Sequence, residues 1–228
     1  IEMGLERVRE VGERLGVLRP APLTVIVAGT NGKGSTVAML ERLARAHGLS
    51  TASYTSPHLL RYNERLCFDG VAADDATLIA GFERVESARL AGDPVSLTYF
   101  EAGTLAALVA IAEMRPHLAI LEVGLGGRFD ATNVLGSHVL AACGIAALGL
   151  DHERFLLAPE DNVPAEPLAR IGFEKAGIGK PGVPLVTLSY PEGVTLEVEH
   201  AAIVREALLT MRGREWHSSV TETGLHYV

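Results

Sequence analysis

Residues 23–46 read Leu-Thr-Val-Ile-Val-Ala-Gly-Thr-Asn-Gly-Lys-Gly-Ser-Thr-Val-Ala-Met-Leu-Glu-Arg-Leu-Ala-Arg-Ala, and they carry a strand, a turn and a helix in succession. The β-branched run Leu23–Val27 is a buried strand. It enters a glycine-rich turn with one lysine, and helical periodicity takes over at residues 36–47. A strand, a glycine loop, a lysine and a helix together make a phosphate cradle. The loop N–H groups and the helix N-terminus face anionic oxygens, and the lysine adds a point charge. The spacing Gly29-x-x-Gly32-Lys33-Gly34-Ser35 is two residues shorter than the common G-x-x-x-x-G-K-[ST] form, with a glycine after the lysine. The placement between strand and helix still points to a bound nucleoside triphosphate.

The remaining pattern repeats this alternation. Helices are expected at 2–16, 76–90, 99–114 and 167–176, and strands at 50–54, 118–123, 139–145 and 183–188. Residues 55–65 read as a polar loop. Beyond 192 a helix is expected at 198–211 and short strands at 216–220 and 225–228. The predicted class is α/β, a mostly parallel sheet covered by helices, with ligands at the carboxyl ends of the strands.

Composition narrows the function. The chain has 228 residues and a formal net charge of −8, which argues against bulk nucleic-acid binding. An anionic ligand must therefore be held by a local site. No apolar run approaches the ~18 residues of a membrane span, and no signal-peptide pattern opens the chain. Cys67 and Cys143 are far apart and fit no metal spacing, as expected of buried thiols in a reducing compartment. The expectation is a cytoplasmic, monomeric enzyme with no membrane or nucleic-acid partner.

Four clusters besides the loop carry chemistry. Thr55-Ser-Pro-His-Leu-Leu-Arg-Tyr-Asn-Glu-Arg65 follows a strand with a hydroxyl, a histidine, two arginines and a carboxylate. Its hydroxyls suit Mg²⁺ and its arginines an anionic substrate; a solvated Ser-Pro turn is the plainer reading. Glu122, in Leu121-Glu-Val-Gly-Leu-Gly-Gly-Arg-Phe-Asp130, ends an apolar strand, where a lone carboxylate is costly. A divalent cation would satisfy it, and so would a buried arginine. Asp151 and His152 follow the strand at 139–145, where the sheet would deliver them to the same crevice. Lys175, in Gly172-Phe-Glu-Lys-Ala-Gly-Ile178, reads on spacing alone as a helix-surface lysine.

Taken together and in order, GTNGKGS (29–35), TSPHLLRYNERL (55–66), LTYFEAGTLAAL (97–108), LEVGLGGRFDATN (121–133), GLDH (149–152) and EKAGI (174–178) resemble the folylpolyglutamate synthase and dihydrofolate synthase family of the Mur-ligase superfamily. The resemblance covers roughly residues 1–190. It implies a P-loop ATPase domain of the Mur-ligase central-domain type at 1–190, which would bind ATP and folate. Residues 191–228 would lead toward a second, Rossmann-like domain of which no segment is recognisable. It also implies site residues. Gly29, Thr30, Asn31, Gly32, Lys33, Gly34, Ser35 and Thr36 would hold ATP, with Lys33 on the β- and γ-phosphates. Ser56 and Glu122 would ligate one Mg²⁺ and His152 a second. Lys175 matches a lysine often carbamylated in the superfamily, in which form it can coordinate a cation. Lys33, Glu122, His152 and Lys175 form the implied catalytic set. Ser56, Pro57, His58, Arg61, Asn63, Glu64, Arg65, Phe100 and Glu101 would meet the pteridine substrate.

The implied reaction joins L-glutamate to a pteroate or folate carboxylate through an acyl phosphate, with ATP and Mg²⁺ as cofactors and dihydropteroate or a reduced folate as acceptor. One alternative is a shortened, non-catalytic ATP-binding module of the same family. Another, a cell-wall Mur ligase, predicts an additional N-terminal domain, and only 22 residues precede the first strand.

Overall fold

A computed structural model describes residues 4–150, 160–222 and 224–228. Its frame is an eight-stranded sheet. In chain order the strands are β1 (Leu23–Ala28), β2 (Thr51–Tyr54), β3 (Leu66–Phe68), β4 (Val71–Ala72), β5 (Leu118–Glu122), β6 (Leu140–Ile145), β7 (Pro184–Thr187) and β8 (Leu208–Met211). Their spatial order is β4-β3-β2-β5-β1-β6-β7-β8. Every pairing from β2 to β8 is parallel, and β3 and β4 close one edge antiparallel. β1 lies centrally between β5 and β6, so its carboxyl end opens at the point where the strand order reverses, the usual crevice of such sheets.

The helices are α1 (Glu6–Leu15), α2 (Lys33–Ala46), α3 (Asp75–Leu90), α4 (Tyr99–Met114), α5 (Pro167–Ala176) and α6 (Glu192–Val204). The main core joins α1, α3, α4, α5 and α6 to the sheet through residues such as Val8, Val85, Leu105, Leu108, Ile111 and Val198. α4 is buried on nearly all sides, as its apolar run predicts. Its Leu105, Leu108 and Ile111 have no exposure, and each such side chain contributes about 1.5–3 kcal/mol by burial. α2 packs separately through Val37 on Val27 and Ile120.

The expected elements up to β7 are present with ends displaced by a few residues. α2 begins at Lys33 rather than 36, so the lysine and Gly34–Ser35 form its first turn. The helix expected at 198–211 is corrected: α6 ends at Val204 and Leu208–Met211 is the edge strand β8. Glu206 takes a positive φ of 55° and breaks the helical run there. Main-chain pairing to β7 then outweighs the helical preference of the Leu-Leu-Thr-Met segment. The parallel sheet therefore continues past residue 190 to Met211, and only the hairpin β9 (Ser218–Thr221) and β10 (Gly224–Tyr227) stands apart. The β3–β4 hairpin is short enough to escape periodicity. Asp69-Gly70, with φ of 49° and 78°, supplies the tight turn that joins it.

Candidate active site

The glycine loop wraps from the end of β1 into α2. Gly29 and Gly32 take φ of 146° and 82°, open to glycine alone without strain. A Cβ on Gly29 would also stand 2.9 Å from that of Ala146. The loop is pinned from β6: Thr30 and Asn31 donate their N–H groups to Ala147 O (2.8 and 3.2 Å), and Thr30 Oγ1 donates to Gly149 O (2.9 Å). Gly32 caps α2 with no side-chain acceptor. The first N–H groups of a helix have no intrahelical partner, and with the helix dipole they form an anion site.

Lys33 Nζ donates to Gly29 O (3.0 Å) and Thr30 O (3.2 Å), folding its charge back over the loop. Glu122, at the end of β5, faces it at 4.0 Å. Ser56, just past β2, donates its N–H to Glu122 Oε2 (3.3 Å). Three strand ends thus converge on one buried carboxylate. Burial pushes the Glu122 carboxyl above the usual carboxylate range, opposed by Lys33 and the Ser56 N–H. The pairing considered from sequence was an arginine; the structure supplies Lys33 instead.

Among the described residues no three His, Cys, Asp or Glu side chains cluster as a metal cage. The donors at the loop are one costly carboxylate and Ser56, whose N–H meets that carboxylate. That set suits a hard cation completed by phosphate oxygens and water. Asp151 and His152 lie outside the described residues. Lys175 is not on the surface, as spacing alone suggested, but 4% exposed in α5. Its Cα lies 3.1 Å from where a Cβ on Gly127 would stand, so the loop after Glu122 packs on it.

The residues expected to meet substrate divide into two groups. Phe100 packs over Gly124, where any Cβ would fall 2.4 Å from its ring, and against Tyr54 at 6.2 Å between centroids. Pro57 follows a cis peptide beside Ser56. Buried Arg65 donates Nε to His58 Nδ1 (2.9 Å) and lies over the rings of Tyr62 and Tyr99. The others bond within the protein. Glu64 accepts the N–H groups of Leu59, Leu60 and Arg61, which hold its carboxyl below the usual range. Asn63 and Arg61 bond to Asp75. Glu101 completes a capping box with Thr98 and pairs with Arg7 at 2.9 Å.

Asp130 was not singled out from sequence. Its enclosed carboxylate accepts the N–H groups of Gly124 and Leu125 (3.0 and 2.9 Å) and both the N–H and the hydroxyl of Thr132. It shapes the glycine loop that follows Glu122. The available signal was an aspartate two residues before a threonine at the end of a glycine run, a side-chain-to-backbone turn.

A pocket of about 640 Å³ opens beside the phosphate loop, lined by Ser35, Thr36, Met39, Ile145, Leu188 and Trp216 among others. Trp216 Nε1 is buried there, without a hydrogen-bond partner among the described residues.

No family model matches the chain. It is 44% identical over 222 residues to the dihydrofolate synthase/folylpolyglutamate synthase of Escherichia coli strain K12, which covers 97% of this chain and 49% of that protein. The chain belongs to the dihydrofolate synthase/folylpolyglutamate synthase family. The E. coli FolC structure in complex with DHPP and ADP superposes with a TM-score of 0.89 at 42% identity, over 100% of this chain and 51% of that one. A bifunctional folylpolyglutamate synthase/dihydrofolate synthase with Mn, AMPPNP and L-glutamate bound superposes with a TM-score of 0.86 at 40% identity, over 100% of this chain and 52% of that one. The chain spans about half the length of the family members it matches. Among the described residues no helix is long and apolar enough to cross a membrane.

Proposed function

We propose that the chain carries the ATP-binding and acceptor-activating part of a ligase that joins L-glutamate to a pteroate or folate carboxylate. The observation that carries this reading is the buried Glu122 carboxylate standing between Lys33 of the glycine loop and the Ser56 N–H. The solved relatives supply the ligands: DHPP and ADP in one, and AMPPNP, Mn and L-glutamate in another.

A carboxylate is a poor electrophile, and transfer of the γ-phosphoryl group to it creates a leaving group. The glutamate amine then displaces phosphate. Phosphoryl transfer depends on positioning and charge stabilisation more than on proton removal. The loop N–H groups and Lys33 hold the triphosphate and neutralise charge on the transferred group. Glu122 and the Ser56 hydroxyl would hold Mg²⁺, which supplies Lewis-acid stabilisation of the phosphate oxygens. Phe100 and the Ser56–Arg65 loop would form the acceptor wall, with His152 and Lys175 as the candidates for a second cation.

The apolar pocket beside the loop is the natural seat of the nucleoside. Trp216 is the single tryptophan of the chain, so its emission reports on that pocket. Titration with an ATP analogue is expected to change Trp216 emission saturably, and inorganic triphosphate is expected to leave it unaltered. Equal responses to both would remove the nucleoside from this pocket.

The test of the function is ADP formation from Mg-ATP, with and without L-glutamate, comparing dihydropteroate with tetrahydrofolate. Glutamate-dependent turnover is expected with at least one acceptor. Nucleotide binding with silence toward both would favour the non-catalytic nucleotide-binding module.

A further inference from the structure

We propose that Arg128 and Glu174 position the cation site, through a buried charge network that touches no reacting atom. This rests on the ligase reading and adds two positioning residues to it. Glu122 stands at the root of the Gly124–Asp130 loop, and Lys175 on α5. The two segments are joined by the Arg128 guanidinium, whose Nη2 and Nε reach the two oxygens of Glu174 at 2.8 and 3.3 Å. Arg128 N–H also donates to Glu174 O at 2.9 Å. Glycines make the approach possible: a Cβ on Gly177 would stand 2.5 Å from that of Arg128, and one on Gly127 2.9 Å from Glu174 O.

The network has a second layer. Arg170 Nε lies 3.4 Å from Glu174, and Glu160 Oε2 accepts from both Arg128 (2.6 Å) and Arg170 (2.8 Å). Glu160 stands seven residues before the start of α5. One guanidinium therefore ties the glycine loop to α5 and to Glu160. The side chains of Glu174 and Arg170 are 3% and 7% exposed. Buried ion pairs contribute little net stability because desolvation offsets their attraction, and fixing a geometry is a better-supported use. Arg128 suits it: its planar fork grips Glu174 at two points while its face lies over Phe129 and Phe173 at 4.3 and 5.1 Å. If this frame loosens, Glu122 loses its fixed direction toward the loop, and cation affinity falls while the glycine loop keeps its own geometry.

The experiment is a Mn²⁺ titration followed by electron paramagnetic resonance on the 228-residue chain, with a non-hydrolysable ATP analogue present. Analogue affinity without cation is read alongside by Trp216 emission, and Tm by calorimetry. Glu174→Gln and Arg128→Met are expected to weaken Mn²⁺ binding tenfold or more and to leave cation-free analogue affinity within twofold. Arg128→Lys keeps the charge without the fork and is expected to weaken Mn²⁺ at least threefold. A lower Tm with Mn²⁺ affinity within twofold of the parent chain would overturn the proposal and leave the network a purely structural role. Arg128→Lys decides the matter if the other two fail to fold. A parent chain that binds the analogue but no nucleotide-dependent Mn²⁺ would overturn the metal-assisted ligase reading, and this proposal with it.

Discussion

Lys33→Ala is expected to abolish ATP turnover while the fold is retained. Among the described residues Lys33 Nζ bonds to carbonyls of its own loop, Gly29 and Thr30, and approaches Glu122 at 4.0 Å. Those contacts hold a charge in place and bury little apolar area, so their removal leaves the core untouched. The loop's glycines and the Thr30 and Asn31 bonds to Ala147 survive the substitution. The loss falls on the triphosphate, where a charge-assisted bond in a water-poor site is lost together with its share of transition-state stabilisation. Removal of one such donor costs about 10²–10³ in rate. The check is ADP release at saturating Mg-ATP beside a far-ultraviolet circular dichroism melt. Turnover within tenfold of the parent, with an unchanged melt, would remove Lys33 from the phosphate site.

Glu122→Gln is expected to act in opposite directions on metal binding and on stability. The substitution removes the carboxylate assigned to the cation, so the Mg²⁺ concentration for half-maximal nucleotide binding should rise at least tenfold. An unchanged titration would remove Glu122 from the cation site. The stability effect follows from burial, which raises the Glu122 carboxyl above its unfolded value. Between the unfolded and folded values the native state holds more protons than the unfolded chain, so stability falls as pH rises through that window and stays reduced above it. Glutamine carries no charge to desolvate. The cation-free variant is therefore expected to melt at or above the parent at pH 7.5, and to lose most of that advantage at pH 4, where the parent carboxyl is largely protonated in both states. For the same reason cation affinity of the parent should rise with pH through the raised carboxyl value, since cation and proton compete for one group. A variant that melts well below the parent at pH 7.5 would show that Glu122 stabilises the fold through Lys33 and Ser56 more than its burial costs.

These two residues also mark how far the chain could be read unaided. The Leu23–Ala46 stretch specifies its own conformation, because a β-branched run, glycines that admit positive φ and a helical repeat are all local properties. The alternation of strands and helices, the buried α4 and the placing of Ser56, Glu122 and the glycine loop after strands are local in the same sense. Family resemblance rested on these motifs, and the relatives bear it out. Local preference failed at Leu208–Met211, where pairing with β7 draws a helix-favouring segment into the sheet edge.

Partners were set by the tertiary structure. Lys33 rather than an arginine faces Glu122 because β1 and β5 are neighbours in register, with Val27 opposite Glu122. Lys175 is buried because the glycine loop folds down onto α5. Glu64 and Glu101 are placed at the substrate by the family resemblance, and what the structure adds is that their carboxylates accept backbone N–H groups and that Glu101 also pairs with Arg7. The Arg128–Glu174 pair spans 46 residues of chain. The strand, the phosphate loop and the helix follow from residue order, because backbone dihedral preference and apolar period act over a few residues. Which charges meet follows from the packed fold, because ion pairing depends on distance through space and on exclusion of water, and neither is written in the order of residues.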